Sequence, residues 1–139
     1  MDEQVIFNKI ESLRRCVDRI GQKTPQSSTE LLKSYDLQDI ISVNLERAVQ
    51  NCVDIAAHII ADLDVPPPAT MTESFHKLAE VGYIDDRLAE RMQKAAGFRN
   101  LAVHAYQDID WEIVYKIITL HLCDFSDFVE AIVAKIEVT

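Results

Sequence analysis

Apolar residues recur along this chain in steps of three and four, the spacing that aligns one face of an α-helix. Ile6, Ile10, Leu13, Val17 and Ile20 make the first such stripe. Gly21 is placed to end it, and Thr24-Pro25-Gln26-Ser27-Ser28 reads as a loop. A short helical piece from Thr29 to Tyr35 leads into a long helix. There Ile41, Leu45, Ala48, Cys52, Ile55, Ile59 and Leu63 keep helical steps through to Asp64. Pro66-Pro67-Pro68 breaks the chain, and Thr70 and Glu73 have the spacing of a capping box that opens a short helix ending near Gly82. Asp85 can cap the next helix, from Arg87 into the His104 region. Asp110 can cap the last. Its stripe of Trp111, Val114, Ile118, Leu122, Phe125, Val129, Ile132 and Ile136 predicts one helix of about seven turns.

Four main helices with short connections predict an all-α fold, an antiparallel four-helix bundle with one or two short additional helices. Composition agrees: with Gly at 3 and Pro at 4, turn residues are too few for a sheet-rich domain. A chain of 139 residues has room for one ordinary core, so residues 1–139 are expected to form a single domain. The longest apolar stretches are interrupted by charge, and Met1-Asp2-Glu3-Gln4 lacks the basic-then-apolar order of a signal peptide. Cys16, Cys52 and Cys123 lie on separate predicted helices without C-x-x-C spacing. They read as reduced core thiols of a cytoplasmic protein rather than a disulfide framework or a zinc site. His58, His76 and His121 share no metal-ligand spacing, and no glycine loop is present to cradle phosphates. No metal or other cofactor is expected.

Residues 97–106, Gly-Phe-Arg-Asn-Leu-Ala-Val-His-Ala-Tyr, depart from bundle logic. At about 100° per residue, Leu88, Met92, Ala95 and Val103 define the apolar face of their helix. Arg99 falls in the middle of that face, and so does Tyr106, seven residues on. An arginine there must be paired, or must face a cleft or a second subunit, because an unpaired buried charge is too costly. His104 points about 140° away from Arg99 on a straight helix. Either the helix ends or bends near His104, or the pairing crosses to another chain. Asn100, one turn before His104, shares its face and is positioned to orient the imidazole by hydrogen bond.

The segment Arg99-Asn100-x-x-x-His104 resembles the Arg-x4-6-His motif of HEPN domains, and its extension to Tyr106 resembles the Arg-x4-His-x-Tyr form of HepT-like toxins. Phe98, the Ile109-Asp110 turn, Val114-Tyr115 and the order of long, short, motif and terminal helices are also similar to that family. The resemblance covers nearly the whole chain. It implies a metal-independent endoribonuclease acting as a homodimer, with the Arg/His motifs of both chains meeting in an interface cleft. It further implies a minimal nucleotidyltransferase antitoxin as partner, which inactivates the toxin by adding AMP to the motif tyrosine, here Tyr106.

These residue types suit that chemistry. Metal-free RNA cleavage uses the neighbouring 2′-hydroxyl as nucleophile and needs a base, an acid and a cation for the phosphorane. Histidine titrates near neutrality and can be either acid or base, while arginine stays charged and grips phosphate bidentately. One chain offers a single histidine at this site; a two-fold dimer supplies two histidines and two arginines. The assignments are His104 as general acid/base, Arg99 as phosphate binder and Asn100 as orienting or substrate-contacting residue. Tyr106 would line the cleft, where an attached AMP blocks it by bulk and charge.

Blander readings stand beside these. Arg99 could pair with a carboxylate such as Glu46, His104 could be a solvated helix-end residue, and Tyr106 a core or interface aromatic. Trp111, Phe125 and Phe128 read as core or interface anchors. The formal net charge of −9 opposes RNA at long range, so an RNA site must be a local basic pocket. That charge favours a rival reading: a non-catalytic adaptor or nucleotide-binding subunit that works with a nucleotidyltransferase, in which Arg99 and His104 only contact phosphate. A plain dimerisation bundle leaves Arg99 unexplained.

Overall fold

The computed structural model describes residues 1–138, and within them the chain is all-helical. The helices are α1 (Glu3–Lys23), α2 (Ser28–Lys33), α3 (Tyr35–Ala61), α4 (Met71–Glu80), α5 (Asp86–His104), α6 (Trp111–Leu120) and α7 (Cys123–Val138). A single 3-10 turn, Tyr106–Asp108, joins α5 to α6. Among the described residues no helix is long and apolar enough to cross a membrane.

Local capping chemistry sets the helix starts. Ser27, Ser34, Thr70, Asp85 and Asp110 each accept a hydrogen bond from a backbone N–H in the first turn of α2, α3, α4, α5 and α6 respectively. The capping box at α4 forms: Glu73 N–H donates to Thr70 Oγ1 at 3.1 Å, while the Glu73 carboxylate accepts from Ala69 N–H at 2.8 Å. At the other end of α4, Gly82 adopts φ 84°, and Tyr83 N–H reaches back to the Leu78 carbonyl at 2.9 Å. That is the Schellman closure, which needs a left-handed residue.

Three boundaries differ from the sequence expectation. Helix α1 runs through Gly21 to Lys23, because Gly21 keeps a negative φ and the chain stops only at Thr24, whose hydroxyl caps the Ile20 carbonyl at 2.8 Å. Helix α3 ends at Ala61, a few residues before Asp64. The terminal stripe is split: α6 stops at Leu120, His121 N–H closes onto the Ile117 carbonyl, and α7 restarts at Cys123. An unbroken apolar period carries no signal for such a break, since both halves bury the same face. The short helices are therefore α2, α4 and α6, around the long α1, α3, α5 and α7.

Helix α3 is the axis of the bundle, packed by α1, α2, α4, α5 and α7. Its buried line includes Ile41, Leu45, Ala48, Cys52, Ile55 and Ile59, as the period predicts. Ile6, Ile10, Leu13 and Ile20 of α1 meet it, and Phe75 of α4 sets its ring edge-on against Phe128 of α7 at 5.9 Å. Cys16 and Cys52 are buried and Cys123 is exposed; all three are free. The expectation of three core thiols therefore holds for two, because Cys123 sits at the turn between α6 and α7.

Candidate functional site

The motif helix α5 buries Leu88, Ala89, Met92, Ala96 and Ala102, with Ala95 and Phe98 partly buried against the same core. Val103, expected on this face, is 42% exposed. Val103 and Ala102 flank the same stripe, and the helix turns the smaller side chain inward.

Arg99 falls within the buried line. It is half-buried, and its Nε is closed off from solvent without a hydrogen-bond partner. No carboxylate pairs with it among the described residues, so the Glu46 ion pair does not form. A desolvated, unpaired N–H on a permanent cation is costly in a folded chain. It is the kind of local conflict that functional positions carry.

Helix α5 runs through both Arg99 and His104, so the 140° separation persists and the two do not meet within one chain. Helix α5 ends at His104; Ala105 leaves helical geometry at φ −147°, ψ 52°, and its N–H closes onto the Leu101 carbonyl at 2.8 Å. His104 is thus the exposed last helical residue. The other three imidazoles have polar partners: His58 accepts from Asp2 N–H at 3.2 Å, His76 meets Glu80 at 2.9 Å, and His121 lies 3.8 Å from Asp124. Among the described residues His104 is the histidine with no such partner. Asn100 is exposed one turn earlier and makes no hydrogen bond to His104, so that orienting contact is absent within the chain.

Tyr106 does not continue the α5 stripe, because the helix has already ended. It opens the 3-10 turn and leans on α3, where its hydroxyl donates to Asp39 Oδ1 at 2.8 Å. Its ring meets Trp111 edge-on at 5.7 Å, and it stays 38% exposed. The phenol is held above its ordinary value, first by burial; the Asp39 carboxylate adds to this and the Ser42 hydroxyl opposes it. Asp39 was not legible as a site residue, since it lies 67 positions away on another helix.

Beside the motif, Phe98 and Leu101 of α5, Ile113 and Ile117 of α6, Phe125 of α7 and Leu45 of α3 line a mainly apolar groove of about 440 Å³. Leu101, Ile113 and Leu120 are 37, 55 and 65% exposed. A second cluster also went unforeseen. The donor atoms of Cys123, Asp124 and Asp127 lie within 4.8 Å of one another. The Arg91 guanidinium already pairs with both carboxylates there, at 2.8 and 3.3 Å, and ties α5 to α7.

Comparison with known proteins gives the relatives of this arrangement. The family described as "Ribonuclease HepT-like" matches residues 13–132. The mRNA nuclease HepT of Shewanella oneidensis is 36% identical over 131 residues, covering 94% of this chain and 98% of its own. The tRNA nuclease HepT of Aphanizomenon flos-aquae is 28% identical over 128 residues, covering 92% and 87%. Among solved structures, the tri-AMPylated Shewanella oneidensis HEPN toxin in complex with MNT antitoxin superposes with a TM-score of 0.88 at 35% identity. That superposition covers 96% of this chain and 99% of the toxin.

Proposed function

From its membership of the HepT-like ribonuclease family, we propose that this chain is the ribonuclease toxin of a toxin–antitoxin pair, a cytoplasmic single-domain protein acting on RNA without a metal ion. The observation that carries this reading is Arg99: a half-buried arginine with an unpartnered Nε, five residues before the exposed end of α5 where His104 stands. A structural arginine would have acquired a carboxylate. A phosphate-binding one keeps donors in reserve for its substrate.

In this mechanism Arg99 binds the scissile phosphate and stabilises charge as the phosphorane forms. His104 moves protons: as base it accepts from the ribose 2′-hydroxyl, and as acid it donates to the departing 5′-oxygen. One imidazole cannot hold and accept a proton in a single concerted displacement, so the site is composite, with His104 from each of two chains. The groove beside the motif gives the second copy its seat. Leu101 and Ile113 line it and stay exposed, and an isologous contact brings them against their counterparts. Asn100, exposed beside His104, is free to contact the substrate. Tyr106 is the residue that the nucleotidyltransferase antitoxin modifies with AMP, placing bulk and a negative charge beside the cleft.

Expression with and without the partner tests this reading. The chain alone arrests growth, the Arg99→Ala and His104→Ala forms do not, and co-expression of the nucleotidyltransferase restores growth. Harmless expression of a demonstrably dimeric, unmodified chain favours the adaptor reading that the −9 charge supports.

A further inference from the structure

The chain has four tyrosines, and they differ in accessibility and in what their hydroxyls meet. Tyr35 is the most open, 81% exposed. Tyr83 lies under the Lys135 ammonium, 5.8 Å from the ring centroid, and the Tyr115 hydroxyl donates to the Pro25 carbonyl at 3.0 Å. Tyr106 alone, among the described residues, donates to a carboxylate, that of Asp39 at 2.8 Å. Both partners are exposed, so a second protein carrying a nucleotide can reach the oxygen. Accessibility alone would select Tyr35. Nucleophile chemistry selects Tyr106.

We propose that Asp39 is the catalytic base for adenylylation of Tyr106, so that the toxin supplies part of the active site of its own inactivation. This rests on the reading of Tyr106 as the modified residue. The antitoxin brings ATP with its divalent cation. Tyr106 Oη attacks the α-phosphorus, the bond from that phosphorus to the β-bridging oxygen breaks, and pyrophosphate leaves with the electron pair. The phenolic proton passes to Asp39 Oδ1, already at hydrogen-bond distance.

An isolated phenol is a weak nucleophile at neutral pH, with its ordinary ionisation near 10. The hydrogen bond to a carboxylate favours the protonated phenol further, so a pre-formed phenolate is not the route. Proton transfer concerted with attack avoids it. The groups acting on this phenol are Asp39 and Ser42 of α3, with the Trp111 ring of α6 packed on its edge, and Asp39 is the charged one among them.

The test reconstitutes the chain with its nucleotidyltransferase, ATP and Mg²⁺, and follows AMP addition by intact-mass spectrometry with peptide mapping. Each Asp39 variant is compared with the parent at every pH, so titrations within the partner cancel. The parent is expected to gain AMP at Tyr106, and Tyr106→Phe to gain none at that position. Asp39→Asn keeps a hydrogen-bonding oxygen but is expected to lose about a hundredfold or more in rate, within the range of a general base. Its deficit shrinks as pH rises and the phenol ionises unaided. Asp39→Glu, which restores a carboxylate, recovers much of the rate and the parent's pH profile. A merely structural Asp39 would give a deficit independent of pH and no preference for Glu. An Asp39→Asn chain modified at Tyr106 within about threefold of the parent across pH overturns the proposal. A parent that gains no AMP, or gains it at Tyr35, overturns the reading beneath it.

Discussion

Replacing Arg99 by methionine is expected to make the protein more stable and inactive at once. The reasoning starts from the Nε, which is shielded from water and bonded to nothing. An unsatisfied buried donor costs about 1–3 kcal/mol relative to an apolar atom of the same shape. Methionine is unbranched, fits the space of the arginine stem and loses similar rotamer freedom, so packing and entropy nearly cancel. Against the gain stands the loss of one positive charge from a chain whose net charge is already −9, a small penalty at ordinary salt. The net stabilisation is about 1–2 kcal/mol, which for a domain of this size raises Tm by roughly 3–8 °C. Thermal unfolding followed by circular dichroism, at one matched protein concentration, reads it directly. Arg87→Met is the control: it makes the same charge change at an exposed position and should leave Tm within about a degree. A fall in Tm for Arg99→Met, with Arg87→Met unchanged, would refute the argument and make Arg99 a structural cation.

Phe128 is fully buried against Phe75, so Phe128→Ala is expected to cost about 3–5 kcal/mol, measured by urea unfolding. Iodoacetamide should alkylate Cys123 in the native protein and spare Cys16 and Cys52, whose thiols burial pushes up; mass mapping after a timed pulse checks this. The Met1 ammonium and Asp62 pair at the surface, which raises the amine above 8.0 and lowers the carboxyl below 3.8. The raised amine contributes fully below its unfolded value and is lost as pH rises through the folded one. The lowered carboxyl contributes above its unfolded value and is lost as pH falls through the folded one. The pair therefore acts between about pH 4 and 8. Asp62→Asn should return the amine toward its ordinary value, as read by the pH dependence of N-terminal acylation.

Much of this was readable in the residues. The caps at Thr70, Asp85 and Asp110 follow from local chemistry, those at Ser27 and Ser34 went unforeseen, and the stripe on α3 follows from its period. Arg99 was legible because it interrupts the apolar period of α5. What was not legible depends on tertiary geometry. The split between α6 and α7 leaves the apolar pattern unbroken, and Val103 and Ala102 are equally apolar, so only packing decides which turns inward. The ending of α5 at His104 has no glycine or proline to announce it. It removes Tyr106 from the stripe and delivers it to Asp39, a partner that no local spacing could reveal. The Arg91 link to Asp124 and Asp127 is likewise a meeting of distant turns.

The measurement that bears most directly on the central claim is RNA cleavage in excess EDTA by the purified, unmodified chain, beside Arg99→Ala and His104→Ala. The account predicts cleavage by the parent alone, leaving 2′,3′-cyclic phosphate ends, with each variant reduced to background. Equal cleavage by all three forms, or a parent whose activity vanishes in EDTA and returns with a divalent cation, would contradict it.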